Sequence, residues 1–103
     1  MSYINYINVT SNLDMNVDGN DGFLYFLVDC SSGNINIDLY SDPIDSQNYI
    51  IHRIDSSSNT LTLTATNSKM INGSSSTTIN INTYADASFL NGNWLCSKFT
   101  FSL

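Results

Sequence analysis

Apolar and polar residues alternate with a period of two in three stretches of the chain. Apolar side chains stand at every second position of residues 35–39, 61–65 and 79–81, and Asn, Asp and Thr fill the positions between them. This period is typical of β-strands that bury one face. Because the stretches recur at roughly the spacing expected for an all-β sandwich or barrel, the pattern predicts an all-β domain, and we expect a small, jelly-roll-like sandwich.

Turn residues separate the predicted strands. Asn and Gly tolerate the positive φ that tight turns need, so Ser32-Gly33-Asn34 and Asn91-Gly92-Asn93 are expected to form hairpins. Pro43 is expected to end the strand before it. The strands are placed near residues 3–10, 12–17, 23–29, 34–40, 49–55, 60–66, 77–82, 86–90 and 94–101.

The chain is expected to form a single domain. Residues 1–21 would supply an N-terminal arm and the first strands, and residues 22–103 the β-sandwich head. The segment 22–28 is apolar on both faces, which indicates a strand buried on two sides or covered by another subunit. The near-repeat Tyr-Ile-Asn within residues 3–8 favours an arm packed between protomers over a free tail.

Composition favours strands and turns over helices. Charged residues make up 12% of the 103 positions, about half the usual share, and Asn, Ser and Thr take their place. The net charge of −6 would repel nucleic acid and anionic membranes. The first residues lack a basic segment and an apolar run, so we expect synthesis in the cytoplasm, with no signal peptide and no transmembrane segment.

Several residues are candidates for chemistry. Asp14, Asn16 and Asp18 match the first half of a calcium-binding loop, but Tyr25 stands where that loop needs Glu, which favours a turn. His52 is the one histidine, and no serine is placed beside it as a nucleophile, so a buried or interface role is preferred to a catalytic one. We therefore expect no enzyme activity, no metal and no cofactor.

Two cysteines leave two possibilities open. Cys30 and Cys96 permit one disulfide, but a single pair in a chain with no secretion signal favours two small buried thiols.

The aromatic residues also have two interpretations. Tyrosines with many Asn and Asp residues suit sugar binding, and they suit core or subunit contacts equally well. The candidate ligand-surface residues are Tyr84 and Trp94, although Trp94 follows a turn and is also expected to anchor packing.

Five segments follow one another in a recognisable order: residues 29–39, 49–55, 59–63, 71–73 and 90–95. A Ser-Gly turn leads into an alternating strand, a second strand ends in Asp, an Asn-led strand follows, then Ile-x-Gly, and a Gly-x-Trp turn opens the last strand. This order resembles the small β-rich head domains of viral and phage fibres and tail spikes. The chain departs from that pattern after Leu39, where Leu-Pro is usual and Tyr40 stands instead.

The resemblance implies a non-enzymatic virion appendage protein. It would form a homotrimer, contact other virion proteins or host-surface glycans, and supply no catalytic residue. The apolar residues expected at the trimer interface are Phe23, Phe26, Phe99, Phe101 and Leu103. The alternative function is a lectin-like sugar-binding module.

Overall fold

The chain alternates between two β-sheets as it winds along the molecule. This computed structural model describes residues 6–18 and 24–101. The elements are β1 (Tyr6–Val9), β2 (Leu13–Asp14), α1 (Met15–Asp18), β3 (Leu24–Val28), β4 (Ile35–Asp38), β5 (Asn48–Arg53), β6 (Leu61–Thr64), β7 (Met70–Ile71), β8 (Ser76–Ile79), β9 (Thr83–Leu90) and β10 (Asn93–Thr100).

The first six strands form parallel coils. Sheet A has the order β1-β3-β5-β9-β10-β7, and sheet B the order β2-β4-β6-β8. Strands β1, β3 and β5 are parallel neighbours in sheet A, and β2, β4 and β6 are parallel neighbours in sheet B. Because consecutive strands lie in opposite sheets, each circuit returns to the same sheet one strand further along, which is the winding of a β-solenoid.

Antiparallel strands complete both sheets at the C-terminal end. Strand β8 pairs antiparallel with β6, β9 pairs antiparallel with β5, and β10 returns along β9. The two-residue strand β7 lies at the other edge of sheet A, where it pairs in parallel with the start of β10. The described part of the fold is therefore a short solenoid followed by an antiparallel closing layer.

The all-β character predicted from the sequence is confirmed, but the sandwich of antiparallel strands is not. Alternation specifies which side chains point inward, whereas it leaves the neighbouring strand and its direction open. The predicted hairpin at Ser32-Gly33-Asn34 is wrong for the same reason, because this turn carries the chain from β3 in sheet A to β4 in sheet B. The predicted hairpin at Asn91 and Gly92 is confirmed, with φ values of 52° and 83°.

The predicted strand 12–17 is shorter than expected. Strand β2 ends at Asp14, whose carboxylate accepts a hydrogen bond of 2.9 Å from the backbone N–H of Asn16. This is the bond that a helix N-cap makes, and the helical turn α1 begins at the next residue.

The core lies between the two sheets. Its largest side chains are Phe26, Tyr49 and Trp94, and all three are fully buried. The Tyr49 ring lies 6.0 Å from that of Phe26 and 5.6 Å from that of Trp94, between ring centroids. Each such side chain stabilises the fold by about 1.5–3 kcal/mol through burial.

Candidate functional site: the outer face of sheet A

The outer face of sheet A carries an unusual number of large apolar side chains. Strands β5, β9 and β10 alternate in burial, so one set of residues enters the core and the other faces outward. We call the outward set the aromatic face, and it comprises Tyr6, Tyr25, Leu27, Ile50, His52, Tyr84, Leu95, Phe99 and Phe101.

Strand register aligns four of these side chains in one row. Leu27 is the partner of His52, His52 is the partner of Tyr84, and Tyr84 is the partner of Phe99. Register partners on one face are neighbours, and in antiparallel pairs their Cβ atoms are about 4.5–5.5 Å apart. The row therefore crosses four strands without a gap.

His52 lies inside this row and contacts rings on three sides. Its Nδ1 atom is 2.9 Å from the Tyr25 hydroxyl, close enough for a hydrogen bond. Its ring centroid is 6.2 Å from that of Tyr84 and 5.6 Å from that of Phe101. The imidazole is half-buried as a result.

Tyr84 is enclosed on both sides by other rings. Phe99 stacks on it with centroids 5.0 Å apart and an angle of 21° between the rings, and His52 lies on the opposite side in the row. The exposed fraction of Tyr84 is 36%.

The neighbouring row mixes apolar and polar groups. Ile50 is the register partner of both Tyr25 and Asp86. Asp86 accepts hydrogen bonds from the Asn48 amide and, at 3.1 Å, from the Ser88 hydroxyl. Among the described outward positions of sheet A, Asp86 is the one formally charged side chain.

Several large apolar residues of the aromatic face are strongly exposed. Tyr6, Leu95 and Phe99 expose 58%, 53% and 46% of their surface. Phe99 lies in the central row and Tyr6 is the partner of Tyr25 in the next row, whereas Leu95 stands apart beside Ser88. Scattered exposed apolar residues need no explanation, but neighbouring ones on one face are typical of an interaction surface.

A second cluster, around Arg53, is structural. The Arg53 guanidinium is buried at the edge of the core and forms an ion pair of 3.1 Å with Asp55. Its Nη1 donates to the carbonyl of Ile79, and its Nη2 donates to the carbonyls of Ser57 and Asn59. Although this group borders an open cleft of about 450 Å³, each guanidinium nitrogen already bonds to a protein oxygen.

Asp55 is held in its ionised form by the same cluster. Burial by itself raises the pKa of a carboxyl, but hydrogen bonds from Arg53, from the Ser57 hydroxyl and from the backbone N–H of Cys30 outweigh that effect. The pKa of Asp55 therefore lies well below its usual range. A carboxylate this strongly bound is unsuited to accept a proton near neutral pH.

The two cysteines are both buried and neither forms a disulfide. Burial raises the pKa of the Cys30 and Cys96 thiols. A buried thiol with a raised pKa behaves as a small apolar side chain, not as a nucleophile.

Asp14 and Asn16 of the predicted calcium motif form hydrogen bonds with other groups of the chain. Besides the N-cap bond, the Asn16 amide donates to the Asp14 carboxylate, and its oxygen accepts from the backbone N–H of Ser41. The side chain of Asp18 lies outside what the structure describes. Within residues 6–18 and 24–101, no three His, Cys, Asp or Glu side chains gather in a way that could hold a metal ion.

The structure divides the predicted interface and ligand residues. Phe99, Phe101 and Tyr84 lie on the aromatic face. Phe26 and Trp94 are fully buried in the core, so neither lies on a surface, and Trp94 has the packing role that was its other interpretation. The predictions for Phe23 and Leu103 fall outside the described residues.

The sequence favoured a buried or interface role for His52, but it did not indicate that His52 bonds to Tyr25 or shares a row with Tyr84 and Phe99. The available signal was that residues 48–53 and 83–90 carry apolar groups at outward as well as inward positions. A strand with large side chains on both faces indicates a second contact surface.

In the part of the chain that the structure describes, no helical segment has the length and hydropathy needed to cross a membrane. No protein-family model, curated protein or solved structure matches this chain.

Proposed function

We propose that this chain is a non-enzymatic structural protein that associates with copies of itself through the aromatic face of sheet A. The observation that carries the proposal is the uninterrupted row Leu27, His52, Tyr84 and Phe99, with further exposed apolar residues beside it. Aromatic side chains are enriched, and charged ones depleted, at the centres of protein interfaces.

The charge distribution favours a second copy as the occupant. The chain carries a net charge of −6, so two copies repel each other over most of their surface. Among the described outward positions of sheet A only Asp86 is charged, so a second copy meets little repulsion at the aromatic face. The face also lacks the charges that a strongly acidic or basic partner would select.

The assembly we propose is a homotrimer that serves as an appendage or decoration of a virion. The trimer and the virion role come from the resemblance to fibre heads, and the aromatic face supplies a surface suited to the subunit contacts. Full burial of such a side chain is worth about 1.5–3 kcal/mol, and the residues of this face, which are already part-buried, each contribute a part of that on entering the contact.

Sugar binding by the same face receives less support. A sugar stacks its apolar face on an exposed ring face, whereas the Tyr84 ring is flanked by His52 and Phe99. Trp94, the other candidate, is buried in the core.

Light scattering on a sizing column at low micromolar concentration tests the proposal. We expect three times the chain mass for the wild type and a folded monomer for Phe99→Asp, because a buried carboxylate at the contact costs several kcal/mol. The matched control is Ile44→Asp, which makes the same kind of change at a loop residue exposed by 74%, and it should keep the wild-type mass.

A wild-type monomer would overturn the self-association proposal, as would an unchanged mass for Phe99→Asp. Glycan-array binding by a monomer, lost in Tyr84→Ala, would replace the proposal with the sugar-binding function. A dimer would retain the surface and reject the trimer.

A further inference from the structure

His52 occupies a position where its charge must affect any contact made by the aromatic face. It lies between Leu27 and Tyr84 in the central row, and the chain contains no other histidine. Histidine is the side chain whose ordinary charge change falls between pH 5 and pH 8. A contact that covers this row must bury the imidazole, whether it is neutral or protonated.

We propose that assembly through the aromatic face is controlled by pH, and that His52 is the switch. The assembled form contains neutral His52, and protonation of His52 dissociates it. This inference rests on the proposed self-association and adds the regulation of the same surface.

The hydrogen bond to Tyr25 fits the neutral form. In a neutral imidazole, Nδ1 accepts the proton of the Tyr25 hydroxyl over the observed 2.9 Å. In the protonated form both ring nitrogens are donors, so the Tyr25 hydroxyl must turn and accept. Its own proton then needs another acceptor, which an apolar contact would not provide.

The groups around His52 do not offer a counter-charge in direct contact. On β9 the nearest carboxylate is Asp86, one row away and already bound by Asn48 and Ser88. On β3 the facing groups are Tyr25 and Leu27, and on β10 and beyond they are Phe99 and Phe101. The basic groups of the same region are engaged elsewhere, with Arg53 paired to Asp55 and Lys98 bonded to the Thr77 hydroxyl.

Protonated His52 is therefore acceptable while the aromatic face is open to water, but it destabilises a contact that covers this face. The neighbouring rings attract a cation weakly, but removing an unpaired charge from water costs more than such an attraction returns. Association therefore weakens as pH falls, and the effect multiplies with each imidazole that the contact buries. In a symmetric assembly every subunit contributes one.

The test measures the assembly by sedimentation velocity at pH 8 and pH 5.5, with circular dichroism at both values to confirm the fold. For the wild type we expect the dissociation constant to rise by at least about tenfold at pH 5.5. His52→Gln can still accept the Tyr25 hydrogen bond and cannot become charged, so its assembly should not change between the two pH values. Asp86→Asn is the matched control on the same face and should retain the wild-type response.

The outcomes separate the two proposals. A wild-type chain that is monomeric at both pH values overturns the self-association itself. An assembly of equal strength at both values overturns the switch alone, and so does a His52→Gln variant that dissociates at pH 5.5 as the wild type does.

Discussion

At the scale of single residues, the stability of the fold depends strongly on Asp55. It is the carboxylate partner of the buried Arg53, and it also accepts hydrogen bonds from Ser57 and from the backbone of Cys30. These bonds tie together residues from two successive turns of the solenoid. The loss of this one side chain would leave the guanidinium buried without its charge partner.

We predict that Asp55→Asn lowers the free energy of unfolding by about 3–5 kcal/mol, the usual cost of removing one partner of a buried ion pair. Urea denaturation followed by circular dichroism measures it. The matched control is Asp29→Asn, 26 positions earlier at a corresponding turn, where the carboxylate accepts from the Ser31 N–H. A loss equal to that of the control would contradict the role of the ion pair.

The same residue makes stability depend on acid pH. Because the pKa of Asp55 is lowered in the folded state, its contribution is present above the unfolded value of about 3.9 and is lost as pH falls toward the folded value. We expect wild-type stability to decline below about pH 4.5, and we expect Asp55→Asn to show a shallower decline. Parallel slopes for the two proteins would argue against this assignment.

At the scale of elements, asparagine side chains join successive coils. Asn12 and Asn34 each stand one residue before a strand of sheet B, and each accepts a hydrogen bond from the backbone N–H of its register partner. The partners are Asn36, at 2.8 Å, and Thr60, also at 2.8 Å. Asparagine side chains just before the strands of sheet B therefore help to hold successive coils together.

We predict that Asn34→Ala costs about 0.5–1.5 kcal/mol, the net value of one hydrogen bond. Asn12→Ala removes the same bond one coil earlier and should cost a similar amount. Asn34→Asp keeps the acceptor oxygen and should cost less than Asn34→Ala. Thermal or urea unfolding of the three variants would decide, and an Ala variant as stable as the wild type would show that the bond contributes nothing.

At the scale of the whole molecule, strand order sets a gradient of stability. In sheet A, β5 and β9 have neighbours on both sides, whereas β1 lies at the edge of sheet A and β2 at the edge of sheet B. Strands paired on both sides open mainly through global unfolding, and edge strands open by local fraying. The centre of sheet A should therefore be its most persistent part.

Hydrogen exchange measured by mass spectrometry tests this gradient. We expect the amides of β5 and β9 to exchange about 100-fold more slowly than those of β1 and β2. The same measurement on the Phe99→Asp variant shows the exchange of the monomer, without protection from self-association. Equal protection of β1 and β5 in that variant would contradict the gradient.

Most strands could be predicted from the sequence. The nine predicted segments overlap nine observed strands, because a side-chain period of two is a local property of the backbone. Strand β7 was missed because two residues are too short to show any period. Of the residues predicted at an interface or ligand surface, Tyr84 and Phe99 are exposed and Phe101 is half-buried, whereas Phe26 is buried. The sequence could not show this, because residues 23–28 are apolar at every position and leave open which face turns inward.

The sequence also contains an internal repeat that matches the winding of the solenoid. Residues 29–39 and 55–65 are similar segments exactly one 26-residue step apart, each beginning with Asp and a run rich in serine before an alternating strand. The register between β4 and β6, which pairs Ile35 with Leu61, has the same step. A repeat of this length is the signal of a solenoid, and it was the evidence against a sandwich.

The sequence alone determined the β class, the approximate strand positions and the tight turn at Asn91 and Gly92, because each depends on neighbouring residues in the chain. Tertiary structure decided which strands pair, which of two apolar faces is buried, and that His52, Tyr84 and Phe99 share one row. Those features depend on contacts between residues far apart in the chain, and local periodicity is the same whichever partner a strand has.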